Sequence, residues 1–194
     1  MKRVCVFCGS SSGASPLFEQ DARFLGQALA AADIELVYGG ASVGLMGAVA
    51  NACLKAGGRV IGILPKALEA KEIAHKELTR LHIVDSMHER KAMMADMSDG
   101  FIALPGGLGT IEELFEIWTW GQLGYHGKPF AIYNTLAYYD QLLRFLDHAV
   151  EAQLVKAVHR EMLIVATDAT SLLERMNGYS PPSVAKWTDR VLVP

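Results

Sequence analysis

The chain has 194 residues, 51% hydrophobic and 20% charged, with a formal net charge of −3 and a pI of about 6.1. Its length suits one domain, 1–194, with a sizeable core, and its apolar content excludes a disordered chain. No Lys/Arg run is present to grip a nucleic-acid backbone, and no stretch nears the roughly 18 apolar residues that a membrane-spanning helix needs.

Residues 3–7 read as a strand, continuously apolar as expected where both faces are covered. The basic pair before them and the short apolar run do not make a signal-peptide core, so a cytoplasmic location is expected. Cys5 and Cys8 form a C-x-x-C, but strand side chains alternate, and residues three apart face opposite sides. With an odd total of three cysteines, plain thiols are expected rather than a redox pair or a disulfide.

Gly9-Ser10-Ser11-Ser12-Gly13 follows, then a helix over 16–32 and a strand over 35–38. A second glycine-rich turn, Gly39-Gly40-Ala41-Ser42-Val43-Gly44-Leu45-Met46-Gly47, opens a helix over 44–56. A strand over 59–64 leads into residues 66–76, polar and readable as a short helix or a lid. Then come a strand over 81–85, a helix over 87–97 and a strand over 100–104. A third turn, Pro105-Gly106-Gly107-Leu108-Gly109-Thr110, leads into a helix over 110–124. The rest reads as strand 130–134, helix 139–151, strand 163–166, helix 171–176 and an irregular tail with Pro181-Pro182. Strand and helix alternating this often predict an α/β fold: a Rossmann-like, doubly wound, mainly parallel sheet with helices on both faces.

Ligands of such a sheet bind at the carboxyl ends of its strands. Three glycine-rich turns at that edge form a cradle of backbone N–H groups and helix N-termini suited to a phosphate or another anion. Neither G-x-G-x-x-G after a strand nor G-x-x-x-x-G-K-[ST] occurs, so a dinucleotide site or a P-loop is not expected. The six histidines lack metal-ligand spacing, so no metal is expected.

Charged residues stand where apolar ones are due. On helix 87–97, Arg90 and Lys91 lie three and four residues after Met87 and share its stripe with Met94 and Met97. Two inward cations either snorkel to the helix edge or pair with structural carboxylates, or they meet a ligand anion or an acidic catalytic group. On the helix after the fifth strand, Thr110-Ile111-Glu112-Glu113 matches a capping box with Thr110 as the cap. Ile111, Leu114, Phe115 and Trp118 make its apolar stripe, which gathers Glu112, Glu113 and Glu116 on another face. Their mutual repulsion would be relieved by a cation such as Arg90.

Pro105-Gly106-Gly107-Leu108-Gly109-Thr110-Ile111-Glu112-Glu113 resembles the P-G-G-x-G-T-x-x-E signature of the LONELY GUY family, and Met87-His88-Glu89-Arg90-Lys91 resembles its M-H-x-R-K. These proteins are cytokinin-activating phosphoribohydrolases. The resemblance extends from Cys8-Gly9-Ser10-Ser11 through Thr119-Trp120 to Gly124, with Ala41 where the family usually has a third glycine. It implies hydrolysis of the N-glycosidic bond of a nucleoside 5′-monophosphate, a cytokinin riboside 5′-monophosphate or AMP, to free base and ribose 5-phosphate. It further implies Arg90 and Glu113 as the catalytic pair and Gly106, Gly107, Gly109 and Thr110 as phosphate ligands. Glu72, Lys91, Glu112 and Thr119 match substrate-contact positions. No cofactor is implied, and a homodimer with the site near its interface is. The Met-rich stripe of 87–97 and the aromatic residues of 115–120 independently suggest a homodimer. An older decarboxylase label would need a pyridoxal-phosphate lysine, and none stands apart for it. The alternative of another class is a non-catalytic nucleotide or cofactor carrier on the same fold.

Overall fold

The computed structural model describes residues 1–69 and 74–182. Seven strands, β1 (Arg3–Phe7), β2 (Glu35–Tyr38), β3 (Val60–Pro65), β4 (Arg80–Val84), β5 (Gly100–Ala103), β6 (Phe130–Tyr133) and β7 (Leu163–Ala166), form one sheet. Each strand end lies within one residue of its expected position. The order is β4-β3-β2-β1-β5-β6-β7, and every pairing is parallel.

The helices are α1 (Pro16–Ala31), α2 (Gly44–Lys55), α3 (Lys66–Glu69), α4 (Met87–Met97), α5 (Leu108–Gln122), α6 (Asp140–Glu151), α7 (Ala157–Arg160) and α8 (Ala169–Asn177). Their starts have local causes. Ser15 caps α1 ahead of Pro16, whose fixed φ suits a first turn. Ser86 accepts the Glu89 N–H at 3.1 Å to open α4. Asp168 accepts from Ser171 N at 2.8 Å, so α8 begins two residues earlier than its apolar pattern suggested. The ambiguous 66–76 stretch starts as the single-turn α3, and Ala74 then bridges Ala41. Ala41 is fully buried there, so its methyl group fits where a third glycine was expected.

The sheet divides the core in two. Residues of α1, α2 and α8, such as Leu25, Leu29, Val49 and Leu172, cover one face. Met94, Leu114, Trp118 and Leu146 from α4, α5 and α6 cover the other. Cys5 packs into the second cluster and Cys8 against the first, on opposite sides as strand alternation requires, and all three cysteines are free thiols. From β1 the chain winds outward to β4, then returns to place β5 beside β1 and winds outward the other way. The reversal makes the carboxyl ends of β1 and β5 the switch point, where an open sheet leaves a crevice.

Candidate active site

The three glycine-rich loops meet at that crevice and are stitched together. Gly9 N donates to Pro105 O, and Leu45 N donates to Gly9 O, each at 3.1 Å. The loop after β5 runs into α5, whose cap is Gly107, with no side-chain cap bond. The first bond of the helix is Ile111 N to Gly107 O at 3.2 Å. The N–H groups of Leu108, Gly109 and Thr110 therefore have no partner within the helix and gather positive potential at its end. All three residues line a cavity of about 340 Å³, within the size range of small-ligand sites.

This start overturns the capping-box reading. Thr110 is the third residue of α5 rather than its cap, and it is buried. Its hydroxyl packs where a Cβ on Gly106 would stand, so only glycine admits that approach. Glu113 sits a full turn into the helix, out of reach of the cap. The glycine pair lets the helix begin two residues before the T-x-x-E pattern that imitates a box. Gly107 and Gly109 face open space, and among the described residues nothing fills the room in front of their backbone.

Arg90 and Glu113 line this cavity together, with Cys8, Gly39, Met46, Met87 and Met94. Arg90 is 9% exposed. Its guanidinium lies against Gly39, where any Cβ would collide with Nη2. Nη1 approaches Met87 Sδ at 3.7 Å, while Nε is buried without an acceptor among the described residues. Among the described residues Arg90 makes no ion pair. Burying such a cation is costly, and the arrangement is that of an anion-binding group.

Glu113 is half-buried, and its carboxyl is pushed up to about 7. Desolvation is the main cause. The Arg90 charge works against it, Glu112 adds to it, Lys91 opposes it and Glu116 adds again. Close to neutrality Glu113 can therefore exchange a proton, as a general acid or base must. Cys8 borders the same space, but burial pushes its thiol up, away from the thiolate.

Lys91 has different company. Its Nζ lies 2.6 Å from Glu112 Oε1 and 3.1 Å from Glu116 Oε1, so both carboxylates share one ammonium. The inward cations of α4 thus divide, Lys91 going to carboxylates of α5 and Arg90 to the cavity. Of the other expected site residues, Glu112 lines the cavity and Gly106 borders it, lining an adjoining chamber with Gly107. Thr119 is exposed on α5 two turns beyond Glu112 and does not line the cavity. Glu72 lies outside the described residues.

Sequence reasoning placed Gly39 and Met46 in the second glycine-rich turn of the cradle and Met94 on the stripe of Arg90, but named none of the three as a site residue, and all three line the cavity. Gly39 carried a further signal, as a glycine directly after an apolar strand. Ser11 stands in the G-x-S-x-G spacing of a nucleophile elbow. Its Oγ accepts Gly13 N at 3.3 Å, the eight residues between β1 and α1 make a long connection rather than a sharp elbow, and none of them is a His, Asp or Glu.

Residues 46–176, more than half of the chain, match the family described as "Possible lysine decarboxylase". A relative from Oryza sativa subsp. japonica, "Probable cytokinin riboside 5'-monophosphate phosphoribohydrolase LOGL9", is 48% identical over 180 residues, 93% of this chain and 79% of its own. The Arabidopsis thaliana cytokinin riboside 5'-monophosphate phosphoribohydrolase LOG7 is 46% identical over 180 residues, 93% of this chain and 83% of its own. Among solved structures, the molybdenum cofactor carrier protein of Chlamydomonas reinhardtii superposes with a TM-score of 0.68 at 19% identity, over 91% of this chain and 98% of that one. The molybdenum cofactor binding protein of Rippkaea orientalis gives 0.66 at 21%, over 92% and 97%. At those identities the two likenesses show the fold alone.

Proposed function

The chain belongs to the LONELY GUY family, and we propose that it hydrolyses the N-glycosidic bond of nucleoside 5′-monophosphates, releasing free base and ribose 5-phosphate. The observation that carries this reading is that Arg90, Glu113 and the bare N-terminus of α5 line one cavity. The helix end suits the dianionic phosphate, with Leu108, Gly109 and Thr110 offering N–H groups and Gly107 leaving room for close approach. Phosphate held there lets binding energy position the sugar.

Cleavage of the bond between C1′ and the base nitrogen leaves positive charge on the ribose ring. The ionised Glu113 carboxylate stabilises that charge and takes a proton from the attacking water, whose oxygen bonds to C1′. The base leaves with the bonding electron pair and gains a proton. Arg90 contributes positive charge, toward the phosphate or toward keeping Glu113 ionised, and no step calls for a cofactor. The curated relatives act on cytokinin riboside 5′-monophosphates by their names, which puts those nucleotides beside AMP as substrates to test.

A homodimer belongs to the same reading, supported by the 44% exposure of Met87 at the cavity and of Tyr125 at 75% beyond α5. A carrier would have little use for a carboxyl held near neutrality beside an anion site, and this separates it from a hydrolase. The test is incubation with AMP, cytokinin riboside 5′-monophosphates and the matching nucleosides, following free base and ribose 5-phosphate. Turnover of the monophosphates with poor turnover of the nucleosides is expected. Equal turnover of adenosine and AMP refutes the phosphate anchor, and tight binding without any free base favours the carrier.

A further inference from the structure

The connection between β6 and α6 holds strained backbone that the reaction chemistry leaves unexplained. Leu136 and Ala137 stand at φ 53° and 57°, left-handed conformations that are costly for a residue bearing a side chain. Such strain persists where the surroundings over-determine it. Here Asn134 pins the segment, its Oδ1 accepting Tyr139 N at 2.8 Å and its Nδ2 donating to Asp140 at 2.8 Å. Tyr138 N donates to Thr135 O at 3.0 Å. The outcome is two consecutive tyrosines turned toward the loop after β5.

Each tyrosine takes one carbonyl of that loop. Tyr139 Oη donates to Leu104 O at 2.7 Å and Tyr138 Oη donates to Gly106 O at 2.7 Å. Gly9 N supplies Pro105 O between them. Three successive carbonyls just before the bare end of α5 are thus held by donors from outside the loop. A trans peptide is one rigid plane with its C=O and N–H opposed. Fixing the Gly106 carbonyl on Tyr138 therefore aims the Gly107 N–H away from Tyr138.

The two tyrosines differ in burial. Tyr139 is 2% exposed and belongs to the core, whereas Tyr138 is 45% exposed. Edge contacts with Phe18, at 5.8 Å between ring centroids, and with Tyr139, at 4.9 Å, hold the Tyr138 ring. It walls a second chamber of about 290 Å³ that shares Gly9, Ser10 and Gly107 with the main cavity. We propose that Tyr138 is a positioning residue for phosphate capture, its hydroxyl fixing the Gly106–Gly107 peptide so that the N-terminus of α5 is set to receive the 5′-phosphate. The proposal rests on the nucleotide reading above and adds to it a residue outside both signature motifs.

The test is Tyr138→Phe, which keeps the ring and removes only the donor. KM for the nucleoside monophosphate and the inhibition constant of inorganic phosphate are expected to rise together by about three- to tenfold, the scale of one neutral hydrogen bond. The turnover number and its pH profile are expected to stay within about twofold, since Arg90 and Glu113 are untouched. Tyr139→Phe serves as the contrast, because loss of a buried donor is expected to lower the melting temperature with little change in KM. Unchanged KM and phosphate inhibition in Tyr138→Phe overturn the proposal, as does a fall in kcat at constant KM. Calorimetric titration with inorganic phosphate decides without turnover. Weaker binding to Tyr138→Phe than to the wild type supports the assignment even if no nucleotide is hydrolysed. Equal binding, or none to either protein, overturns it.

Discussion

Arg90 and Lys91 are consecutive on α4, both largely covered by protein, and their charges meet opposite surroundings. Lys91 has two carboxylates within hydrogen-bond distance, and burial, which would lower its pKa, is outweighed by Glu112 and Glu116, which raise it. Arg90 has a glycine backbone, a thioether and an Nε without an acceptor among the described residues. Successive helical residues point about 100° apart, so one step along α4 moves from the carboxylates of α5 to the cavity at the switch point. A compensated cation supports the fold, whereas an uncompensated one costs stability and is kept where an anion is to be bound. Glu113 lies between these regimes, close enough to feel both cations and ion-paired with neither.

The largest expected effect belongs to Glu113→Gln. With no capping role to lose, the substitution keeps the shape and removes the charge that faces the sugar cation. Turnover is expected to fall about a hundredfold or more, the scale of losing a general base, while nucleotide affinity persists. Stability is expected to move the other way. A carboxyl raised to about 7 favours the folded state while protonated, in full below its unfolded value near 4.5. That contribution is lost as pH rises through about 7. At pH 8 the variant is expected to exceed the wild type by on the order of 1–3 kcal/mol, with no difference at pH 4.5. Melting curves at the two pH values, beside turnover at pH 8, check both. Unchanged turnover leaves the carboxyl without a catalytic role.

Arg90→Met comes next and attacks the comparison from its other side. If Arg90 is held for an anion, phosphate and nucleotide affinity fall by roughly ten- to a hundredfold, the scale of charge-assisted bonds. No ion pair is lost, so the melting temperature is expected to hold or rise. A substantial drop in melting temperature with intact phosphate affinity makes Arg90 structural and dissolves the contrast with Lys91.

Much of this was legible in advance because the strands are continuously apolar and are separated by glycine-rich turns at one edge. The inward direction of Arg90 followed from its three-residue spacing to Met87, and the acidic face of α5 from the stripe through Leu114 and Trp118. Helical spacing placed both cations on one stripe without separating them. Their separation depends on which neighbour reaches each, Gly39 from the loop after β2 or Glu112 and Glu116 from α5. The start of α5 was misread because a real T-x-x-E pattern lies inside a helix that Gly107 begins earlier. Tyr138 gave no signal, since its role depends on left-handed backbone at Leu136 and Ala137, residues with no sequence preference for it.

The smallest expected effect, from Lys91→Met, tests whether the compensated side of the comparison reaches the chemistry. Removing the ammonium costs a partly exposed ion-pair network, about 1 kcal/mol or less. It also leaves Glu112 and Glu116, one residue before and three after Glu113, without the charge that balances them. Both push the Glu113 carboxyl up, and Lys91 itself holds it down. The rate should rise with pH as Glu113 ionises, with its midpoint near 7 in the wild type. In the variant that midpoint should move upward by up to about one pH unit, the usual reach of a nearby charge in a partly solvated site. Turnover at pH 6 should therefore fall several-fold, while turnover at pH 9 stays close to the wild type. Adding Glu112→Gln and Glu116→Gln to Lys91→Met removes the repulsion as well and should return the midpoint toward 7. A lysine that instead grips substrate would raise KM at every pH, leave the midpoint in place and gain nothing from the added glutamines. The pH profile of kcat/KM in the single and triple variants separates the two outcomes.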